Sequence, residues 1–178
     1  NIYQSYATTD TGTVSLLYPH EQLTKYGSSG CLIWAAEVLI VNDQGQPLPQ
    51  GEVGEILCRG PLVCQGYYNN PQANEANFRD GWLLTGDLGR FDEEGYLYIT
   101  GRNSEMIKTG AFRVSPNEVE EVLFKHPDVY EAAVAGVEDE LLGEAIAGAV
   151  VLKEGRVTTE DELLAHCARH LASYKRPK

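Results

Sequence analysis

Basic residues are scarce in this sequence. Against 26 Asp and Glu, the 178 residues carry 14 Lys and Arg, a formal charge of −12 at pH 7. A nucleic-acid surface or an anionic membrane face needs a basic stripe to meet phosphate, so the balance argues against both partners. Long apolar runs are missing too. The longest, Ala145 to Leu152, falls far short of the ~20 residues of a membrane-spanning helix, and no charged-then-apolar leader pattern opens the chain. The four cysteines, at 31, 58, 64 and 167, show neither a C-x-x-C pair nor Cys/His metal spacing, which argues against a disulfide framework or a zinc site. The expectation is a cytoplasmic protein with reduced thiols, some of them in a core. An N-terminal Asn close to a candidate active-site strand, and a basic stop at Tyr174–Lys178, predict a portion of a longer protein.

What is present falls into two rhythms. From Val14 to about Thr100, short apolar stretches alternate with glycine-rich turns. Residues 36–42 and Gly54–Arg59 read as strands, and 88–100 as a hairpin turning at Glu93-Glu94-Gly95. One short helix interrupts them, with Asn70 as cap and Pro71 in its first turn. A twisted, barrel-like antiparallel layer is the expected result. After Gly101-Arg102 the pattern changes to alternating helix and strand. Ser115-Pro116-Asn117-Glu118 reads as a capping box, with Val119, Val122 and Leu123 as the helix's apolar face. Residues 130–137 and 145–152 read as buried strands. Thr159 and Glu162 form a second capping box, for a helix lined by Leu164, Cys167, Ala168 and Leu171. The fold class predicted is α+β: a twisted β-barrel-like subdomain over residues 1–102, then a small α+β lid domain over 103–178.

Three segments are richer in Gly, Thr, Asp and Arg than a scaffold requires. Tyr6-Ala7-Thr8-Thr9-Asp10-Thr11-Gly12 offers an aromatic face, hydroxyls for phosphate and a hard oxygen for Mg²⁺; a plain polar turn is the alternative. Gly81 to Asp87 places an Asp after a Gly, at the end of an apolar strand, where it can accept from vicinal hydroxyls. The alternative is an Asp that satisfies its own turn. Gly101 to Glu120 carries three cations, Arg102, Lys108 and Arg113, spaced by small residues and suited to phosphate contact, or else forming a surface loop.

In this order the segments resemble the adenylate-forming superfamily of acyl-CoA synthetases, peptide-synthetase adenylation domains and firefly luciferase. Tyr6–Asp10 is similar to that family's Y-G-x-T-E segment. Gly54–Tyr68 and Thr85-Gly86-Asp87 are similar to its G-E-[IL]…G-Y and T-G-D segments. Gly101–Glu120 is similar to its most specific one, G-R-x-[DK]-x-x-[IV]-K-x-x-G-x-[RN]-[VI]-x-P-x-E-[IV]-E. The resemblance implies a two-step reaction, in which a carboxylate attacks the α-phosphate of ATP and a thiol then takes the acyl group from the adenylate. It implies that Tyr6 stacks on adenine, Thr9 contacts phosphate and Asp10 binds Mg²⁺. It further implies that Asp87 holds the ribose hydroxyls with help from Arg102, that Lys108 serves the thiol-using half-reaction, and that Arg113 contacts phosphate. Cofactors and partners follow: ATP/AMP, Mg²⁺, a small carboxylic acid, and coenzyme A or a carrier-protein phosphopantetheine. Phrasing such as GWLLTGDLGRFDEEGYLYITGR is nearest to CoA ligases. A carrier-loading adenylation domain and a non-catalytic adenylate- or partner-binding remnant are the alternatives.

The sequence also departs from the family pattern. Asp10 stands where Glu is usual, Ala7 and Ala111 where Gly is usual, and Ser104 at the hinge position. The family's phosphate loop and its adenylation lysine are not among the 178 residues, so the chain alone is expected to be inactive. His166 and His170 read as a solvated i, i+4 pair, Tyr67, Tyr68, Tyr96 and Tyr98 as strand packing, and Glu138–Glu140 as a solvated turn.

Overall fold

Turns rich in glycine at positive φ separate the apolar stretches, so the first part of the chain folds as short antiparallel strands. The structure, a computed structural model, describes residues 2–178. The chain divides into two compact units, Asn1–Asn103 and Ser104–Lys178.

In the first unit, β1 (Gln4–Thr8), β2 (Gly12–Leu17) and β3 (Cys31–Leu32) make one sheet in that order. A second sheet contains β4 (Glu37–Val41), β5 (Gly54–Arg59), β6 (Phe78–Arg79), β7 (Trp82–Phe91) and β8 (Leu97–Arg102). Its order is β4-β5-β7, with β6 and β8 following one another along the far edge of β7. The expected antiparallel layer is therefore two open sheets. They share a core of Tyr6, Val14, Ile40, Ile56, Cys58 and Leu97. Gly30 stitches them together: its carbonyl accepts from the Leu97 N–H at 2.9 Å. Only glycine fits there, since φ is +94° and a Cβ would stand 2.0 Å from the Leu16 carbonyl. The helix α1 (Pro71–Asn77) forms as predicted, with Asn70 Oδ1 accepting from the Ala73 N–H at 3.1 Å.

In the second unit, β9 (Ile107–Thr109) and β10 (Phe112–Val114) form a hairpin. The long pair β11 (Val129–Asp139) and β12 (Gly143–Leu152) completes a sheet of order β10-β9-β12-β11. Helices α2 (Pro116–Phe124) and α3 (Glu160–His170) bury Val119, Val122, Leu123 and Cys167 against Ile107, Val114, Val134 and Ile146. The acidic stretch ends β11 in a turn, where Asp139 Oδ1 accepts from the N–H groups of Leu141 and Leu142.

Four expectations are corrected here. Strands β11 and β12 are not buried: Ala133, Ala135, Val137, Ala149 and Val151 are exposed, because the two helices cover one face of the sheet only. The capping box of α2 is not made. Pro116 starts the helix, but Ser115 makes no side-chain cap bond, whereas Thr159 and Glu162 form theirs in full. His166 is buried rather than solvated, its Nε2–H donating to the Val122 carbonyl at 2.9 Å, and Ala168, expected in the helix's apolar lining, is exposed instead. The four cysteines are free. Cys58 and Cys167 lie in the two cores, where burial pushes the Cys58 thiol up to about 12.

Candidate functional site

The Thr85-Gly86-Asp87 segment lies inside β7, not at a strand end, and there it breaks the register. Glu55 pairs with Leu88 and Leu57 with Leu84, so three residues of β7 oppose the single Ile56. Such a bulge re-aims a side chain out of the pleat. Gly86 supplies the positive φ of +72° that it requires. Thr85 Oγ1 donates to the Ile56 carbonyl at 2.7 Å and accepts from the Asp87 N–H at 3.1 Å, locking the bulge. Asp87 is thereby turned inward and is 4% exposed. Its Oδ2 accepts from the Tyr6 hydroxyl at 2.6 Å, and its Oδ1 from Arg102 Nε at 2.8 Å across the β7–β8 ladder. A carboxylate has about four lone-pair sites, so two acceptor positions remain. Burial, reinforced by the carboxylate, holds the Tyr6 hydroxyl far above the ordinary tyrosine range. It is a donor and stays one.

The β1–β2 turn is built on a threonine clamp. Thr8 and buried Thr11 bond through their hydroxyls at 2.9 Å, and each hydroxyl accepts the other's backbone N–H. The clamp presents Thr9 to solvent, with Asp10 beside it. Asp10 Oδ2 accepts from the Tyr67 hydroxyl at 2.8 Å, which pushes that phenol up to about 12. Among the described residues no group of three or more His, Cys, Asp or Glu is placed to hold a metal ion. Asp10 is a single carboxylate, of the kind that can supply one oxygen to a hard cation.

In the second unit, Lys108 and Arg113 stand directly opposite each other in the β9–β10 hairpin, both exposed. The two-residue turn between the strands is Gly110-Ala111, Gly110 having φ +58°. The Lys108 N–H donates to Glu144 Oε2 at 2.6 Å, which fixes its backbone and leaves its ammonium outside. Beside the turn lies a groove of about 450 Å³, where Phe112 stacks on Tyr174 at 4.2 Å.

The sequence profile of the AMP-binding enzyme C-terminal domain matches residues 118–178, and that of the AMP-binding enzyme matches residues 1–68. The chain belongs to the AMP-binding enzymes. The 2-succinylbenzoate–CoA ligase of Geobacillus kaustophilus (strain HTA426) is 44% identical to this chain over 177 residues, 99% of it and 36% of the relative. The oxalate–CoA ligase of Arabidopsis thaliana is 44% identical over 160 residues, 90% of the chain and 31% of that enzyme. Among solved structures, the O-succinylbenzoate coenzyme A synthetase of Bacillus subtilis, in complex with ATP and magnesium ion, superposes with a TM-score of 0.85 at 41% identity. That match covers 98% of the chain and 36% of the synthetase. The chain thus spans about a third of the length of the curated relatives it matches.

Of the residues singled out in the sequence, the fold brings Tyr6, Asp87 and Arg102 into one cluster. It sets Thr9 and Asp10 on one turn and pairs Lys108 with Arg113. Two tyrosines were misread as strand packing. Tyr67 lies in a loop with its hydroxyl on Asp10, and Tyr68 is exposed in a turn. The signal for Tyr67 was faint, since its partner is 57 residues away. The run of glycines and turn residues around it, Gly60 to Asn70, argued against a strand all the same.

Proposed function

We propose that this chain is the C-terminal portion of an AMP-forming acid–CoA ligase, residues 1–102 completing the nucleotide pocket and 103–178 forming its small mobile domain. The observation that carries the reading is Asp87, a carboxylate buried to 4% exposure yet held by two donors with acceptor capacity to spare. A buried carboxylate is costly unless it is paired, and free lone pairs beside a bulge suit the vicinal hydroxyls of a ribose. The kinship with CoA ligases supports the same reading.

In this reading, Asp87 accepts from the ribose hydroxyls while Tyr6 and Arg102 keep it oriented. What remains exposed of the Tyr6 ring edges the adenine. Thr9 donates to a phosphate oxygen, and Asp10 offers one oxygen to Mg²⁺. When bound, the cation neutralises charge on the phosphates and polarises the bond to pyrophosphate. The carboxylate substrate attacks the α-phosphorus and pyrophosphate leaves. Coenzyme A thiolate then attacks the acyl carbon and AMP leaves. Lys108 and Arg113 bring positive charge to the phosphate oxygens in these steps, Lys108 chiefly in the second. The groove beside Ala111 borders the path of the pantetheine arm, and Ser104 is the hinge. The chain acts in the cytoplasm on a small carboxylic acid and needs the remainder of the ligase for activity.

Carboxylate-dependent ATP–pyrophosphate exchange tests this, run on the chain and on the ligase that contains it against fatty, aryl and small dicarboxylic acids. Exchange by the ligase alone is expected. Loss of even one hydrogen bond to an ionised group costs about 1.5–3 kcal/mol, so Asp87→Ala raises the ATP KM by roughly tenfold or more. ATP binding without pyrophosphate release, for every acid, would instead make the protein a binding-only remnant.

A further inference from the structure

We propose that Tyr67 is a positioning residue for Asp10, holding one carboxylate oxygen so that the other is presented to a divalent cation; this rests on the nucleotide-site reading above. Tyr67 Oη–H donates to Asp10 Oδ2 at 2.8 Å, and the placement of the tyrosine is fixed from several sides. Its backbone N–H donates to Asn74 Oδ1 at 2.6 Å, and Asn74 Nδ2 donates back to its carbonyl at 3.0 Å. Its ring meets Phe78 edge-on at 5.7 Å. Further along the same loop, the Cys64 N–H donates to the Asp10 carbonyl at 2.8 Å. The loop therefore grips Asp10 by main chain and side chain at once. Helix α1 contributes no buried residue of its own. What it does supply is Asn74, and through Asn74 the position of Tyr67.

The chemistry gives the arrangement a purpose. Asp has one fewer torsion than Glu, and the Tyr67 bond removes much of the freedom that remains. The carboxylate can then meet a cation without first being ordered. Partners that orient a metal ligand from behind typically set metal affinity by about 10–100-fold.

Two measurements test the assignment. In the ligase containing this chain, Tyr67→Phe should raise the Mg²⁺ concentration for half-maximal exchange by roughly tenfold, with the KM for ATP at saturating Mg²⁺ unchanged. On top of Asp10→Asn it should add nothing. In the 178-residue chain with ¹³C-labelled tyrosine, the resonance that Tyr67→Phe deletes is that of Tyr67. Mn²⁺ alone should broaden that resonance ahead of the other tyrosines, and Asp10→Asn should abolish the effect. Unaltered Mg²⁺ dependence in an active, folded Tyr67→Phe ligase overturns the proposal, as does the absence of selective broadening. A wild-type ligase silent in exchange refutes the ligase reading instead, while the Mn²⁺ response still decides the role of Tyr67.

Discussion

Removing one oxygen atom from the core of the first unit tests the pocket most sharply. In Tyr6→Phe the ring stays among Val14, Ile56 and Leu97, so little apolar contact is lost. What disappears is a 2.6 Å hydrogen bond to a carboxylate that is 4% exposed, where water cannot readily replace the donor. A hydrogen bond to a charged group contributes about 1.5–3 kcal/mol, so the loss is put at ~2 kcal/mol. Arg102 grips the other oxygen, but its side chain is 59% exposed. Solvent screening limits its share to below about 1 kcal/mol. The expected order is therefore Tyr6→Phe well below Arg102→Ala in stability, although Arg102 carries the formal charge. Both tryptophans, Trp34 and Trp82, lie in the first unit. Urea unfolding followed by tryptophan fluorescence consequently reports this unit alone. Adding Asp87→Asn should restore part of the loss, because the buried carboxylate oxygen left without its donor no longer carries charge. A Tyr6→Phe midpoint within about 0.5 kcal/mol of wild type, or above that of Arg102→Ala, would refute the reasoning.

Two further outcomes follow from the same geometry. Gly30→Ala places a Cβ 2.0 Å from the Leu16 carbonyl at φ +94°; it should cost at least ~4 kcal/mol and send the protein into the insoluble fraction, and a soluble variant with native circular dichroism would contradict the close approach. Burial, with the nearby imidazoles of His170 and His126, holds His166 below its ordinary 6.5, against the opposing pull of the Val122 carbonyl. A depressed value means that the unfolded chain binds the proton more readily, so His166's contribution is complete above about 6.5 and is lost as pH falls through the folded value. Amide exchange in α3 should therefore accelerate on acidification through that range and do so less in His166→Gln; an identical pH profile in the two would exclude the histidine as the cause.

Legibility in the sequence followed locality. The Asn70 and Thr159 caps, Gly54–Arg59 and the turn at Glu93–Gly95 depend on residues a few positions apart, and the chain adopts them as read. Charge and hydroxyl content marked Asp10, Asp87, Arg102 and Lys108 as candidates for the same reason. The misreadings share a non-local cause. The apolar runs of β11 and β12 looked buried because a run of Val and Ala does not say whether one face or two will be covered; only the number of helices on the sheet decides that. His166 looked solvated because its i, i+4 partner is polar, whereas its burial depends on the carbonyl of Val122, 44 residues away. The bulge at Thr85–Asp87 was hidden because register is a property of two strands. It is nevertheless the feature that turns Asp87 inward.

Lys108 separates what the fold needs from what the chemistry needs. It faces Arg113 directly across the hairpin, and like charges so placed cost about 0.2–1 kcal/mol. Its structural contribution is a backbone N–H to Glu144, which any residue but proline supplies. Replacing it with Thr, a good strand former that keeps the N–H, should leave the second unit as stable as before or a few tenths of a kcal/mol more so. If Lys108 serves the thiol step as proposed, the same change slows thioester formation in the ligase much more than pyrophosphate exchange. Thermal melting by circular dichroism gives the first quantity, and separate rates for the two half-reactions give the second. Destabilisation beyond about 0.5 kcal/mol would mean that the lysine works for the hairpin after all. Equal slowing of both half-reactions would remove it from the thiol step. A hairpin that gains stability while the thiol step alone fails would leave anion contact as the reason two cations stand side by side there.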